Sequence, residues 1–183
     1  MNIEKMFPVE YSSQIKNICN LSEFEIVNIE YDQFVNFSYQ SQKVSIFYRI
    51  IADNLNIKGL SDLEFVIFQC ILSRNPDGYT RQNSFSFLVN SDYLFTTPFI
   101  LLILSEYIVE ILEDFLTIAD EKTYTKIIKF LEDNPNYKKL ITSKIISYWN
   151  EYYRKPNHLG GKVYQNFREY PGYRILKRIN LIT

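Results

Sequence analysis

Glycine and proline are scarce: the chain has 5 and 6 of them in 183 residues. An all-β protein built on tight turns draws heavily on both, so their shortage points away from that class and toward helices. Histidine is nearly missing. The single one, His158 in "KPNHLGGK", and two dispersed cysteines, Cys19 and Cys70, cannot supply the ligands of an ordinary zinc site. No glutamate stands three residues before His158, so the Glu-x-x-His pair of di-iron bundles is absent as well. Both cysteines fall in apolar helical patterns and are expected as reduced, buried thiols, which disfavours a Cys–His nucleophile. The Gly-rich "NHLGGK" lacks phosphate-loop spacing, and no hydroxyl nucleophile sits in a glycine-flanked elbow. No metal, cofactor or catalytic residue is therefore expected, and binding is favoured over catalysis.

Long apolar runs are missing too. The longest, Phe99 to Leu104, is far too short to cross a bilayer, and the opening "MNIEKMFPVE" is polar within five residues. A soluble, cytoplasmic protein is expected. What the chain does have is aromatic surface, with 15 Tyr and 14 Phe, and enough length for one domain, 1–183, with a real core.

The periodicity predicts an all-α fold of about 8–10 helices. In "LSDLEFVIFQCIL" (60–72) a broad apolar face follows a cap at Ser61 or Asp62, and Pro76 should end the helix near Arg74. Gly78 is expected to take a positive φ, and a second helix from Tyr79 should present Phe85, Leu88 and Val89. The segment 96–120 predicts one long helix of about 33 Å, capped at Thr96 or Thr97 with Pro98 in its first turn. Further helices are predicted over 122–132, 136–154, 162–169 and 172–180. Residues 42–56 read as helix. Residues 22–39 read either as helix, with Ser22 and Glu25 as a capping box, or as strand, from the alternation in 24–31.

The corner "NPDGYTRQNSFSFL" resembles the turn and second-helix opening of HEAT-type repeats, over about residues 60–119. The resemblance implies a HEAT-like helical array, with a compact multi-helix bundle as the alternative. It also implies a structural corner of Asp77, Gly78, Tyr79 and Arg81, in which Asp77 and Arg81 pair along a stack.

A net charge of −1 conceals a division. Residues 1–121 hold 17 acidic and 7 basic side chains, and residues 122–183 hold 13 basic and 4 acidic. Glu106, Glu110 and Glu113, with Asp114 beside them, are spaced four and three apart and should line one side of the long helix. They can form a solvated face or a docking surface for a basic protein. Lys122, Lys126 and Lys129 stripe another helix, and the aromatics beyond it interleave with cations in the pattern of a single-strand nucleic-acid binder. Neutralisation of the acidic half by these cations is the competing outcome. Modest size, missing catalytic equipment and an acidic helix face are together similar to bacterial toxin-immunity proteins. That likeness implies a protein-binding module whose partner is a basic toxin, such as a nuclease. It would be met by Glu106, Glu110, Glu113 and Asp114, with Tyr107, Trp149 and Tyr153 as anchors.

Overall fold

The computed structural model describes residues 3–26, 34–53, 58–156 and 161–182. Eight α-helices and four short strands occur among them, so the chain is mostly helical but not purely so. His158 and parts of the N-terminal segments (27–33 and 54–57) lie outside the described residues. The chain divides into two compact units, Met1–Phe99 and Ile100–Thr183.

In the first unit, 3-10 turns at Ile3–Met6 and Val9–Tyr11 lead into α1 (Ser12–Leu21). Helix α1 buries Ile15 and Ile18, a narrow stripe. Cys19 lies one residue past Ile18, off that stripe, and is exposed, against expectation; Cys70 is buried. Partial shielding, then the nearby Glu4 charge, hold the Cys19 thiol above its ordinary value, which does not suit a thiolate nucleophile.

Within 22–39 the described residues 23–26 and 34–39 are strand while 27–33 lie outside the described residues, and where a helix is expected over 42–56 the described residues 42–47 and 50–53 are strand instead. Strand β1 (Glu23–Ile26) pairs antiparallel with β4 (Ile50–Asp53), and β2 (Phe34–Tyr39) pairs antiparallel with β3 (Gln42–Phe47) from Phe34–Phe47 to Tyr39–Gln42. Val35, Phe37 and Tyr39 are buried while Phe34, Asn36 and Ser38 are exposed, a strict period of two. In β3, Val44 and Ile46 turn inward; their β-branched side chains are stiff in a helix and fit the pleated face opposite β2.

Gln40 and Ser41 join β2 to β3 with φ of 46° and 67°. Both positive values match the twist of a two-residue hairpin, for which Asn-Gly is the least strained sequence. Replacing the pair by Asn-Gly should stabilise the protein by about 1 kcal/mol, the relief of left-handed strain exceeding the added entropy of glycine. The measurement is a higher denaturant midpoint at unchanged slope.

Helices α2 (Asp62–Leu72) and α3 (Gly78–Leu88) meet at the predicted corner. Ser61 caps α2 in a reciprocal box with Glu64, and Asn17 of α1 donates to the same carboxylate at 2.7 Å. At the corner Asp77 accepts from the Thr80 amide and hydroxyl, each at 2.7 Å. The buried Arg81 folds back to donate from Nη1 to the carbonyls of Asn75 and Pro76, at 2.8 and 2.7 Å. Tyr79, by contrast, is 80% exposed. Gly78 starts α3 without a positive φ; among the described glycines that conformation belongs to Gly59, at 86°.

Helix α4 (Thr97–Leu104) is apolar beyond its first residue and buried throughout, and the boundary between the units falls within it. The single long helix expected over 96–120 is two helices. Residues 105–108 leave helical geometry before α5 (Val109–Ile118) begins. The second unit continues with α6 (Glu121–Asp133), capped by Asp120, and α7 (Pro135–Tyr148). A π-helical turn (Trp149–Tyr153) extends α7, closed by Arg154 N–H donating to the Trp149 carbonyl at 2.9 Å. The helix expected over 162–169 reduces to a 3-10 turn at Phe167–Glu169, and α8 (Pro171–Arg178) comes after it. Residues 161–164 are non-helical, and the Tyr164 amide donates to the Tyr153 carbonyl at 2.7 Å.

Candidate functional site

The break between α4 and α5 is where the candidate residues gather. Ser105 turns its hydroxyl back to the Leu102 carbonyl at 2.9 Å, and Ile108 is extended, so the backbone needs partners from outside the helix. Tyr153 supplies them. Its hydroxyl donates to the Tyr107 carbonyl and accepts from the Val109 amide at 3.2 Å, filling both roles that a phenol offers. The π-helical turn sets this position, since one added residue in the last turn rotates Tyr153 relative to α7. Tyr153 therefore joins α7 to the start of α5 and is half-buried rather than presented as a surface anchor.

The interruption divides the acidic row. Glu106 lies in the connection and is buried, at 7% exposure, so it does not share one helix face with the others. Glu110 and Asp114 are exposed on α5, where Val109, Ile111, Leu112 and Phe115 turn inward. Glu110 sits in the first turn, where the helix dipole favours a negative charge. Glu113 is engaged: Lys162 forms an ion pair with Oε2, and the Tyr164 hydroxyl donates to Oε1 at 2.9 Å. Burial pushes the Glu113 carboxyl upward, but these two hydrogen bonds and the lysine charge outweigh it and leave it below the ordinary range. Lys162 is raised in turn, first by its hydrogen bond to Glu113, and further by the charges of Glu113, Glu110 and Asp114. With side chains 48% and 37% exposed, the pair is screened by water and contributes about 0.2–1 kcal/mol.

Tyr107 is 49% exposed and Tyr152 43%. Together with Tyr148 they form a ring cluster with centroid separations of 5.8, 5.9 and 6.3 Å. Of the three, only Tyr107 stands out from the sequence pattern; the signal for the others is the spacing of four between Tyr148 and Tyr152. Trp149 serves the interior. Its indole N–H donates to the Tyr164 carbonyl at 2.8 Å, its ring lies 4.8 Å from Phe167, and Arg154 stands 5.5 Å over it. Tyr170, fully buried, packs against Tyr153, Tyr164 and Phe167.

Some of the cations are committed as well. Lys126, the middle of the predicted stripe, is buried, while Lys122 and Lys129 are exposed. Arg178 pairs with Glu121 and lies 3.9 Å over Tyr124. The pairs Glu113–Lys162 and Glu121–Arg178 each join the acidic stretch of the sequence to the basic one within the second unit. The corner residues Asp77, Gly78, Tyr79 and Arg81 belong to the first unit.

Among the described residues, four carboxyls are held below their ordinary values. Backbone and side-chain hydrogen bonds from Ser61 act on Glu64, those from Thr80 on Asp77, and those from Thr123 on Asp120; Glu113 is the fourth, with its own causes above. A lowered folded value means stability that is present above the ordinary value and lost as pH falls through the folded one. Denaturant midpoints are therefore expected to fall steadily as pH drops below 4.5, the ordinary glutamate value, and to be flat between pH 6 and 8. A midpoint that rises on acidification would contradict this.

Among the described residues no group of three or more His, Cys, Asp or Glu converges as metal ligands would, and no helix is long and apolar enough to cross a membrane. In comparisons with protein-family models, curated proteins and solved structures, nothing matches the chain.

Proposed function

We propose that this chain is a non-catalytic protein-binding module, most concretely a bacterial immunity protein that binds and neutralises a basic secreted toxin such as a nuclease. The observation that carries the reading is one exposed region of the second unit. There Glu110 and Asp114 of α5 offer negative charge, and the Tyr107–Tyr148–Tyr152 cluster at the start of α5 offers aromatic surface. Interfaces of this kind draw affinity from a few aromatic anchors, and rim charges speed encounter and set register. Covering the positive substrate cleft of a nuclease requires no reaction chemistry, which agrees with the scarcity of catalytic side chains. Such an inhibitor works in the cytoplasm of the producing cell.

The α2–α3 hairpin is, in the same reading, a degenerate HEAT-like unit. A short corner between two helices, with its Asp77 cap and its Arg81 clamp on two carbonyls, suits that reading, although these bonds run within one corner rather than along a stack. The nucleic-acid reading loses support from the burial of Lys126 and the pairing of Lys162 and Arg178.

The test is complex formation, read by calorimetry, with any basic secreted protein that an adjoining reading frame encodes. Glu110→Lys with Asp114→Lys should weaken the complex by about 100-fold, since two favourable charges become repulsive ones. An unaltered affinity removes this surface from the proposal. Retention on heparin at physiological salt, lost with Lys122→Glu and Lys129→Glu, would transfer the function to nucleic acid.

A further inference from the structure

One of the α5 acids, Glu113, already has an occupant. Residues 161–166 run without helix or strand, and Lys162 and Tyr164 tie them to α5 and to the extension of α7. Lys162 pairs with Glu113, and the Tyr164 hydroxyl donates to the other oxygen of the same carboxylate. The Tyr164 amide donates to the Tyr153 carbonyl, and its carbonyl accepts from the Trp149 indole. Glu110 and Asp114 add their charges to Glu113 around the one ammonium of Lys162. The segment thus presents to the acids what a basic partner would present: a cation, and a tyrosine two residues on, carried on non-helical backbone.

We infer that residues 161–166 are an intramolecular strap that occupies the acidic docking face of α5 and is displaced when a basic partner binds. The inference rests on the reading of α5 as that face. Two features suit displacement. The ion pair is half-exposed, so water replaces it at little loss. Val163, between the two gripping residues, is itself 38% exposed and adds little, so the Tyr164 ring, 5.6 Å from the buried Tyr170 and 6.3 Å from Tyr153, is the one apolar contact that the partner's tyrosine must replace. A partner segment bearing Lys or Arg followed two residues later by Tyr would recover every bond that the strap gives up.

Trp149 makes the strap observable, because it is the only tryptophan in the chain and its indole holds the Tyr164 carbonyl. Full-length protein carrying Lys162→Gln and Tyr164→Phe should show tryptophan emission shifted to longer wavelength, with melting still cooperative. The probe is the acetylated peptide Gly-Lys-Val-Tyr-Gln-Asn-Phe, the sequence of residues 161–167. It should restore the emission of the double variant and bind it at least tenfold more tightly than wild type, where the strap competes. Lys162→Arg should behave as wild type, and adding Glu113→Gln to the double variant should abolish peptide binding. A contact that only braced the fold would not be rescued in trans. Equal peptide affinity for wild type and double variant, or no binding to either, overturns the inference. A basic toxin that binds both forms equally, yet is lost with Glu110→Lys and Asp114→Lys, also overturns it while leaving the docking face intact.

Discussion

Gly172→Ala should destabilise the second unit by about 2–3 kcal/mol, lowering its melting temperature by about 5–10 °C. Gly172 is the second residue of α8, at the point where that helix meets α7. A methyl group there would lie 2.5 Å from Cε1 and 2.9 Å from Cδ1 of Tyr170, and 2.6 Å from Cγ2 of Ile145. Neither neighbour can step aside. Tyr170 is 0% and Ile145 1% exposed, and a close-packed interior leaves no void for the displaced ring. Alanine gains up to about 1 kcal/mol in helix propensity over glycine, which opposes the effect but is smaller than the overpacking it creates. Gly161→Ala is the control, since a methyl group at that position would meet nothing within 4 Å, and it should change stability by no more than about 0.5 kcal/mol. Equal melting of the two variants would mean that the α7–α8 contact opens freely.

The same contrast between local and distant causes decides what could be read from the residues alone. Helix α6, expected over 122–132, was legible because Tyr124, Ile127 and Leu131 repeat at three and four, whereas its cap, Asp120, falls at the end of the run expected as the preceding helix. The α2–α3 corner was legible because Pro76 forbids continuation and Asp77 caps the helix beyond it; both signals lie within a few residues. Residues 42–53 misled because their short runs of Val, Ile and Phe satisfy period two and period 3.6 equally, and only pairing with β2 and β1 decides. The break at 105–108 left almost no local trace, since apolar periodicity continues on both sides of it. The group that meets its freed backbone is Tyr153, 46 residues from Tyr107. The acidic row inherited that error: Glu106, Glu110 and Glu113 share a face only on an unbroken helix. Charge asymmetry was visible in composition, but its partial cancellation by Lys162 and Arg178 was not, because those partners lie 49 and 57 residues away from Glu113 and Glu121.

Tyr153→Phe should destabilise the second unit by about 1–3 kcal/mol while leaving its packing intact. Phenylalanine keeps the ring against Tyr170, at 5.5 Å, and Tyr164, at 6.3 Å, so the substitution isolates one oxygen. That oxygen serves two backbone groups at once, the Tyr107 carbonyl and the Val109 amide. Losing it strands a donor and an acceptor at the very place where α4 and α5 fail to satisfy each other. The loss should be local before it is global. Exchange of the Val109 amide should quicken by about tenfold for each 1.4 kcal/mol lost, while amides within α6 and α7 track only the overall stability. The phenol also predicts a pH signature. Burial raises the Tyr153 hydroxyl above its ordinary value of 10, and the Glu110 charge adds to this against the opposing Val109 hydrogen bond. A raised folded value means a contribution that is fully present below pH 10 and lost as pH rises through the folded value. Wild type and Tyr153→Phe should therefore differ in stability at pH 7 and converge in strong alkali. Because the same oxygen fixes Tyr107 and the first turn of α5, where Glu110 stands, the variant should also weaken a partner held there. If Val109 exchange is unchanged, the break between α4 and α5 is set by something other than Tyr153, and the docking face loses its brace.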